Sequence, residues 1–288
     1  MTTAATPIVV TGATGHLGPL IIDSLIARGV PAGEIVAVGR DTDRLAELAS
    51  AGVRTAVADY ADRSSLDAAF AGAGTLVLVS GSEVGRRVQQ HTNAIDAAVG
   101  AGVSRIVYTS APHATTSALV LAPEHKATEE HLASVDVTST VLRNNWYTEN
   151  YAADVTRSAE TGVLVSSTGD GRIASATRAD YAEAVAAVLT TEGHAGAVYE
   201  LSGDVAWTYA DLAAAISEIT GKTVEWRNVD PEEHVAILTG AGLDEGTAGF
   251  VTALDANIRD GLLSETSGDL SRLIGRPTTP LLDGLRAA

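Results

Sequence analysis

Ile8-Val9-Val10-Thr11-Gly12-Ala13-Thr14-Gly15-His16-Leu17-Gly18-Pro19-Leu20-Ile21-Ile22 is a β-branched run that breaks into glycines and resumes with helical periodicity. It reads as strand, tight loop, helix. Gly12 permits a turn with positive φ, Gly15 lets a ligand approach the backbone, and Gly18 lets the helix lie close to the strand. The loop N–H groups and the positive end of the helix then converge on one point, which suits a pyrophosphate. The context of strand before and helix after is what a dinucleotide-binding glycine motif requires.

Downstream the same alternation repeats. Glu34–Val38, Thr55–Asp59, Thr75–Ser80, Arg105–Ser110 and Thr138–Arg143 are short apolar runs, separated by helical segments such as Ser64–Phe70 and Glu83–Ala101. Runs apolar on both faces with helices between them predict a doubly wound parallel α/β sheet of the Rossmann kind, covered by helices on both faces. Ligands of such sheets bind at the carboxyl ends of the strands. Asp59 and Tyr60 are therefore candidates for the adenine end, and Ser80, Gly81, Thr109 and Ser110 for the nicotinamide ribose. Arg40 follows the second strand, about 20 residues after the glycines, where a cation accommodates a 2′-phosphate. It predicts NADPH over NADH, with Asp41 beside it acting against that preference.

Composition narrows the class. The 288 residues are 45% hydrophobic, contain no cysteine and carry a formal net charge of −17. Disulfides, thiolate metal sites and a cysteine nucleophile are excluded, and the acidity argues against nucleic acid as a partner. Met1–Thr6 shows no leader signal, and no run of apolar residues reaches membrane length, so a cytoplasmic protein with no membrane partner is expected. His125, Glu129 and His131 cannot share one helix face, so no metal site is expected.

Catalytic groups are sparse. No tyrosine precedes a lysine by four positions; Lys126 has Ala122 there, and the chain has only two lysines, Lys126 and Lys222. Lys126 reads either as a cation near a hydride acceptor or as a solvated helix residue beside Glu129 and Glu130. No GxSxG elbow is present, and Gly221-Lys222-Thr223 lacks the preceding glycine of a phosphate loop, Gly221 reading instead as a helix cap after a helix begun by Thr208 and Asp211. The sixth strand leads into Asn144-Asn145-Trp146-Tyr147-Thr148-Glu149-Asn150-Tyr151, an aromatic and amide concentration that suits a planar ring substrate or a core joining two lobes. The remainder shows no second glycine motif and predicts a smaller C-terminal α/β lobe, giving residues 1–145 as the dinucleotide-binding domain and 146–288 mainly as the substrate lobe, with some segments returning to the sheet.

GATGHLG, SGSEVGRR, RIVYTSAPHATT, LRNNWYTENY, GDGRIASATRADYA and LIGRPTTPL resemble the NmrA-like atypical short-chain dehydrogenase/reductases. Within that family the bacterial NADPH:quinone oxidoreductases are the more similar branch, and the triphenylmethane dye reductases the less similar. The resemblance runs from about Pro7 to Leu281. It implies NADPH as cofactor and two-electron reduction of a quinone or other planar aromatic. It also implies that Gly12, Thr14, Gly15, His16 and Leu17 hold the pyrophosphate, Arg40 the 2′-phosphate, and that Asn144 and Tyr147 lie near nicotinamide and acceptor. Asn145 and Lys126 depart from the quinone-reductase pattern, Lys126 in the direction of relatives with a catalytic lysine. The missing tyrosine fits quinone chemistry: hydride addition gives a delocalised, weakly basic hydroquinone anion that water can protonate, with Asn144, Tyr147 and Lys126 polarising the acceptor oxygen. Two other readings stand: a tailoring reductase of polycyclic quinones, suited by the alanine-rich, lysine-poor composition of a high-GC bacterium, and a non-catalytic NADP redox sensor with protein partners. A homodimer is compatible with either.

Overall fold

Isoleucine, valine and leucine runs too short for helices, each followed by an amphipathic segment, build a repeating strand–helix unit. In the computed structural model, which describes residues 6–288, the first half of the chain runs β1 (Ile8–Val10), α1 (Gly18–Ala27), β2 (Ile35–Gly39), α2 (Thr42–Ser50), β3 (Arg54–Val57), α3 (Arg63–Ala69), β4 (Thr75–Leu78), α4 (Arg87–Gly100), β5 (Arg105–Ser110), α5 (Ala122–Ser134) and β6 (Thr138–Asn144). There follow α6 (Ala152–Thr161), β7 (Val163–Ser166), β8 (Arg172–Ile173), α7 (Arg178–Thr190), β9 (Val198–Leu201), β10 (Trp207–Thr208), α8 (Tyr209–Thr220), β11 (Glu225–Asn228), α9 (Pro231–Gly240), α10 (Glu245–Arg259), α11 (Asp269–Ile274) and α12 (Leu281–Arg286). The expectation about a leader falls, for Met1–Ala5, outside the described residues.

The chain forms two compact units. The first comprises the chain up to Thr115, Leu121–Asn144 and Arg178–Glu200; the second comprises Thr116–Val120, Asn145–Thr177 and Leu201–Ala288. In the first, seven strands lie in the order β3-β2-β1-β4-β5-β6-β9. The paired registers ascend together from Ile8 with Ile35 to Ser110 with Arg143, so the strands are parallel. The last pair is parallel too, because its bonds climb from Gly196 N to Ser139 O and then from Val141 N to Ala197 O. This is the Rossmann arrangement.

One sheet face packs Val9, Val36, Leu76, Ile106 and Tyr108 on Leu66 and Phe70 of the α3 segment and Ile95 of α4. Alternate residues Val10, Ala37, Val77 and Val107 are equally buried and face the layer of α1 and α7, which pack on each other. Sequence predicts apolar cover on both faces of every strand, and β3 departs from it. As an edge strand it leaves Arg54 and Val57 exposed, and it ends before Asp59. The fourth helix begins at Arg87 and not at Glu83, because Gly85 adopts φ +87°, which a helix does not allow.

The second unit contains two strand pairs, β8 with β10 antiparallel and β7 with β11 parallel, among α6 and α8–α12. Helix α8 carries the capping box of Thr208 and Asp211 and ends on Gly221 at φ +67°. Tyr151 is buried edge-on against Trp207 and Tyr209, at ring distances of 5.0 and 5.9 Å. The aromatic stretch read as a ligand wall is thus divided: Tyr151 is core, whereas Trp146 and Tyr147 are half-buried. No described helix is long and apolar enough to cross a membrane.

Candidate functional site

The strand order places the end of β1 between the ends of β2 and β4, so the glycine loop leaves the sheet at its centre. Gly12 has φ +62°, and Gly15 N–H returns to Gly12 O at 2.9 Å. A Cβ on Gly18 would lie 2.3 Å from Gly12 O, against backbone that cannot swing aside. Leu17 is buried, His16 is exposed, and no side chain caps the N-terminus of α1. Helices α2 and α3, by contrast, are capped by Asp41 and Asp62. A tight glycine loop feeding an uncapped helix leaves the dipole end for an anion.

Beyond β2, Gly39 has no space for a Cβ because Thr14 occupies it at 2.6 Å. Arg40 is largely exposed, with Nη1 3.1 Å from Glu83 and 3.6 Å from Asp59. Since Glu83 follows β4, this ion pair crosses the end of β1, over the glycine loop. Asp41, read as a competitor of Arg40, accepts from the Asp43 and Arg44 N–H groups as the α2 cap. Sequence reasoning passed over Arg44, whose Nη1 donates to Thr14 O at 2.6 Å. Its signal was its place four residues after Arg40, in the first turn of α2.

Asp59 accepts from Ala61 N–H and pairs with Arg40. The Tyr60 hydroxyl lies 2.6 Å from both Thr11 Oγ1 and Val79 O, bracing β1 to β4, and burial pushes its pKa up. Thr109 Oγ1 accepts from Ser80 N–H, and Ser110 donates to Glu129. Glu129 and Glu200 both bind Arg143, at 2.6 and 2.7 Å. Asn144, buried, follows directly at the end of β6. His113, in this cluster through Glu200, has φ 48°, the only positive φ outside glycine among the described residues. Lys126 is half-exposed on α5, 3.9 Å from Glu130.

Behind the loop after β4 lies a buried polar array. His91 Nε2 accepts from Gly81 N–H at 2.9 Å, and Arg87 donates to Gly81 O at 2.7 Å and to Glu124 at 3.0 Å. His125 Nδ1 and the Tyr108 hydroxyl share a hydrogen bond of 2.7 Å. Burial, then the charges of His125 and Arg87, push the His91 pKa down to about 3; burial, then Arg87, does the same to His125. Unfolded histidine takes a proton near pH 6.5, and these two resist it until about 3, so the unfolded chain binds more protons between those values. Stability is therefore lost as pH falls through that window. Urea midpoints should drop between about pH 7 and pH 4.5, less steeply in His125→Gln. Equal slopes in both proteins would contradict the assignment.

In the second unit, Tyr147 bridges to Ala176. Asn145 spends its amide within the same unit, on Leu263 O and Trp146 N–H, so its polarity is not free to line a pocket. Ser167, His234 and Asp255 are buried together; Ser167 donates to Asp255 at 3.0 Å, and His234 Nδ1 lies 2.9 Å from the same carboxylate and 3.4 Å from Ser167 Oγ, so the serine hydrogen goes to the acid and not to a histidine base. Among the described residues no group of three or more histidine or acidic side chains is placed to hold a metal.

Quinone oxidoreductase 2 of Escherichia coli is 46% identical over 278 residues, 96% of this chain and 97% of that protein. The crystal structure of that organism's NADPH-dependent quinone oxidoreductase QOR2, complexed with NADPH, matches with a TM-score of 0.93 over 97% of this chain and 99% of its own. The Citrobacter sp. triphenylmethane reductase complexed with NADP(H) matches at 39% identity and a TM-score of 0.92, over 98% and 99% of the two chains. The NmrA-like family model matches residues 5–256, and the chain belongs to the NmrA-like family.

Proposed function

We propose that the protein is an NADPH-dependent oxidoreductase that reduces quinones by two electrons. The observation that carries this is the 46% identity, over 96% of the chain, to a relative named as a quinone oxidoreductase. The structure's own residues fit the dinucleotide: Gly12 turns the loop at positive φ, Gly18 has no space for a Cβ, α1 is uncapped, and Arg40 and Arg44 bring two cations to it.

When bound, NADPH supplies the hydride. On this reading the backbone of Gly12, Thr14, Gly15, His16 and Leu17 holds the pyrophosphate, and Arg40 with Arg44 the 2′-phosphate. Asp59 and Tyr60 border the adenine end; Ser80, Gly81, Thr109 and Ser110 border the nicotinamide ribose. Asn144 and Tyr147 are assigned to the acceptor, and Lys126 to its developing negative charge, its side chain being half-exposed and only loosely paired. The quinone's delocalised anion needs no strong acid beside it, so the absent tyrosine costs nothing. Shape and orientation of the planar ring then dominate the rate. The cytoplasm is the proposed location and a homodimer the proposed assembly.

Glu83 neutralises the cation that a 2′-phosphate needs. Glu83→Gln should tighten NADPH about fivefold and leave NADH within about twofold. Weakened NADPH binding would show that Glu83 supports the cofactor and does not compete with it. The functional reading itself is tested with an acceptor panel from benzoquinone and menadione to anthraquinones, with NADH as control. Turnover of simple quinones is the expected result; turnover of polycyclic quinones alone identifies a tailoring enzyme, and NADPH binding without any turnover a redox sensor.

A further inference from the structure

Gly81 poses a question that its protein neighbours do not answer. Its φ is not positive, and a Cβ there would stand 3.3 Å from the side-chain oxygen of buried Gln90 and 3.8 Å from His91 Nε2 and Tyr60 Cδ2. Backbone conformation does not require glycine, and the crowding is milder than at Gly18 and Gly39. Its two backbone polar groups are nevertheless both taken by side chains from α4: N–H by His91 Nε2, and C=O by Arg87 Nε.

The bonding directions are fixed throughout. Gly81 N–H can only donate, so His91 Nε2 carries the lone pair and Nδ1 the proton. Nδ1–H then donates to Thr128 Oγ1 at 3.0 Å, and Thr128 passes its own hydrogen to Glu124 O at 2.9 Å. Arg87 is itself held by Glu124, whose other oxygen accepts from Gly85 N–H at 2.9 Å. Two ring edges, Tyr60 at 6.0 Å and Tyr108 at 5.5 Å, wedge the imidazole in place. Four residues from two helices, backed by the two tyrosine rings, thus fix one glycine in the loop after β4.

We propose that Arg87 and His91 are positioning residues: they clamp Gly81 from behind, so that the open side of this glycine receives the nicotinamide-ribose half of the dinucleotide. The inference rests on the dinucleotide reading above and adds residues that touch no ligand themselves. With both polar groups of Gly81 committed to the clamp, its contribution is a fixed backbone position and not a hydrogen bond.

The test separates the two halves of the cofactor. Calorimetric binding is measured for NADPH and for adenosine 2′,5′-bisphosphate, which carries the 2′-phosphate but no nicotinamide. Gly81→Ala sets a Cβ against Gln90 and His91, disturbs the clamp itself, and should weaken NADPH about tenfold while leaving the bisphosphate within about twofold. His91→Leu should weaken NADPH about tenfold with the bisphosphate unchanged, and His91→Gln, which restores an acceptor toward Gly81 N–H, should recover most of the loss. Arg87→Lys, which cannot hold Gly81 O and Glu124 together, reads the same clamp should His91→Leu fail to fold. Parallel losses of both ligands, or no loss of either, overturn the clamp. A wild-type protein that binds neither ligand rejects the dinucleotide reading, and the clamp with it.

Discussion

Gly18→Ala removes dinucleotide binding altogether and destabilises the fold by about 3 kcal/mol. The added Cβ would stand 2.3 Å from Gly12 O and 2.7 Å from Ala13 Cα, all of it backbone. Either the loop leaves its turn or α1 lifts from β1, and in both cases the N–H groups that converge on the anion point elsewhere. NADPH affinity should fall at least about 100-fold by calorimetry. Gly33→Ala is the matched control, since nothing lies within 4 Å of a Cβ there and its φ is not positive. A Gly18→Ala protein that binds NADPH like the parent would remove the glycine loop from the account.

Arg143→Met destabilises the first unit by about 3–5 kcal/mol. The Arg143 side chain is 12% exposed; its guanidinium binds both oxygens of Glu129, whose side chain is 8% exposed, and reaches Glu200 at 2.7 Å. These partners, Glu129 first, push its pKa above the ordinary arginine range. Without it two carboxylates face each other with little water to screen them. Because Asn144 follows immediately, quinone turnover should fall with stability. The double variant Arg143→Met, Glu129→Leu should recover a good part of the lost stability, since removing a buried pair entirely costs far less than breaking it. Thermal unfolding of the two proteins checks this; a single variant within about 1 kcal/mol of the parent would mean the network is ornamental.

Much of this was legible in the sequence because it is written locally. The glycine spacing, the capping pair Thr208 and Asp211 and the β-branched runs each specify their own conformation, and the parallel sheet follows from their alternation. What sequence could not show depends on which distant residues meet. Glu83 reads as the start of a helix, yet Gly85 frees it to reach Arg40. The exposure of β3 follows from its edge position, which no run of four residues reveals. Tyr151 reads as part of an aromatic wall until Trp207 and Tyr209, far along the chain, are seen against it. His91 and His125, dispersed without a metal spacing, gained meaning only once Gly81 and Tyr108 were placed beside them. Arg44 was within reach of a local reading, four residues beyond Arg40 at the start of α2, and was masked by Asp41.

The most direct test of the central claim is anaerobic mixing of the NADPH-loaded protein with menadione while the nicotinamide absorbance is followed. The account predicts loss of one NADPH for each menadiol formed, slower loss with NADH in place of NADPH, and no reaction in Gly18→Ala. NADPH that binds and stays reduced in the presence of menadione, benzoquinone and anthraquinone alike would contradict it.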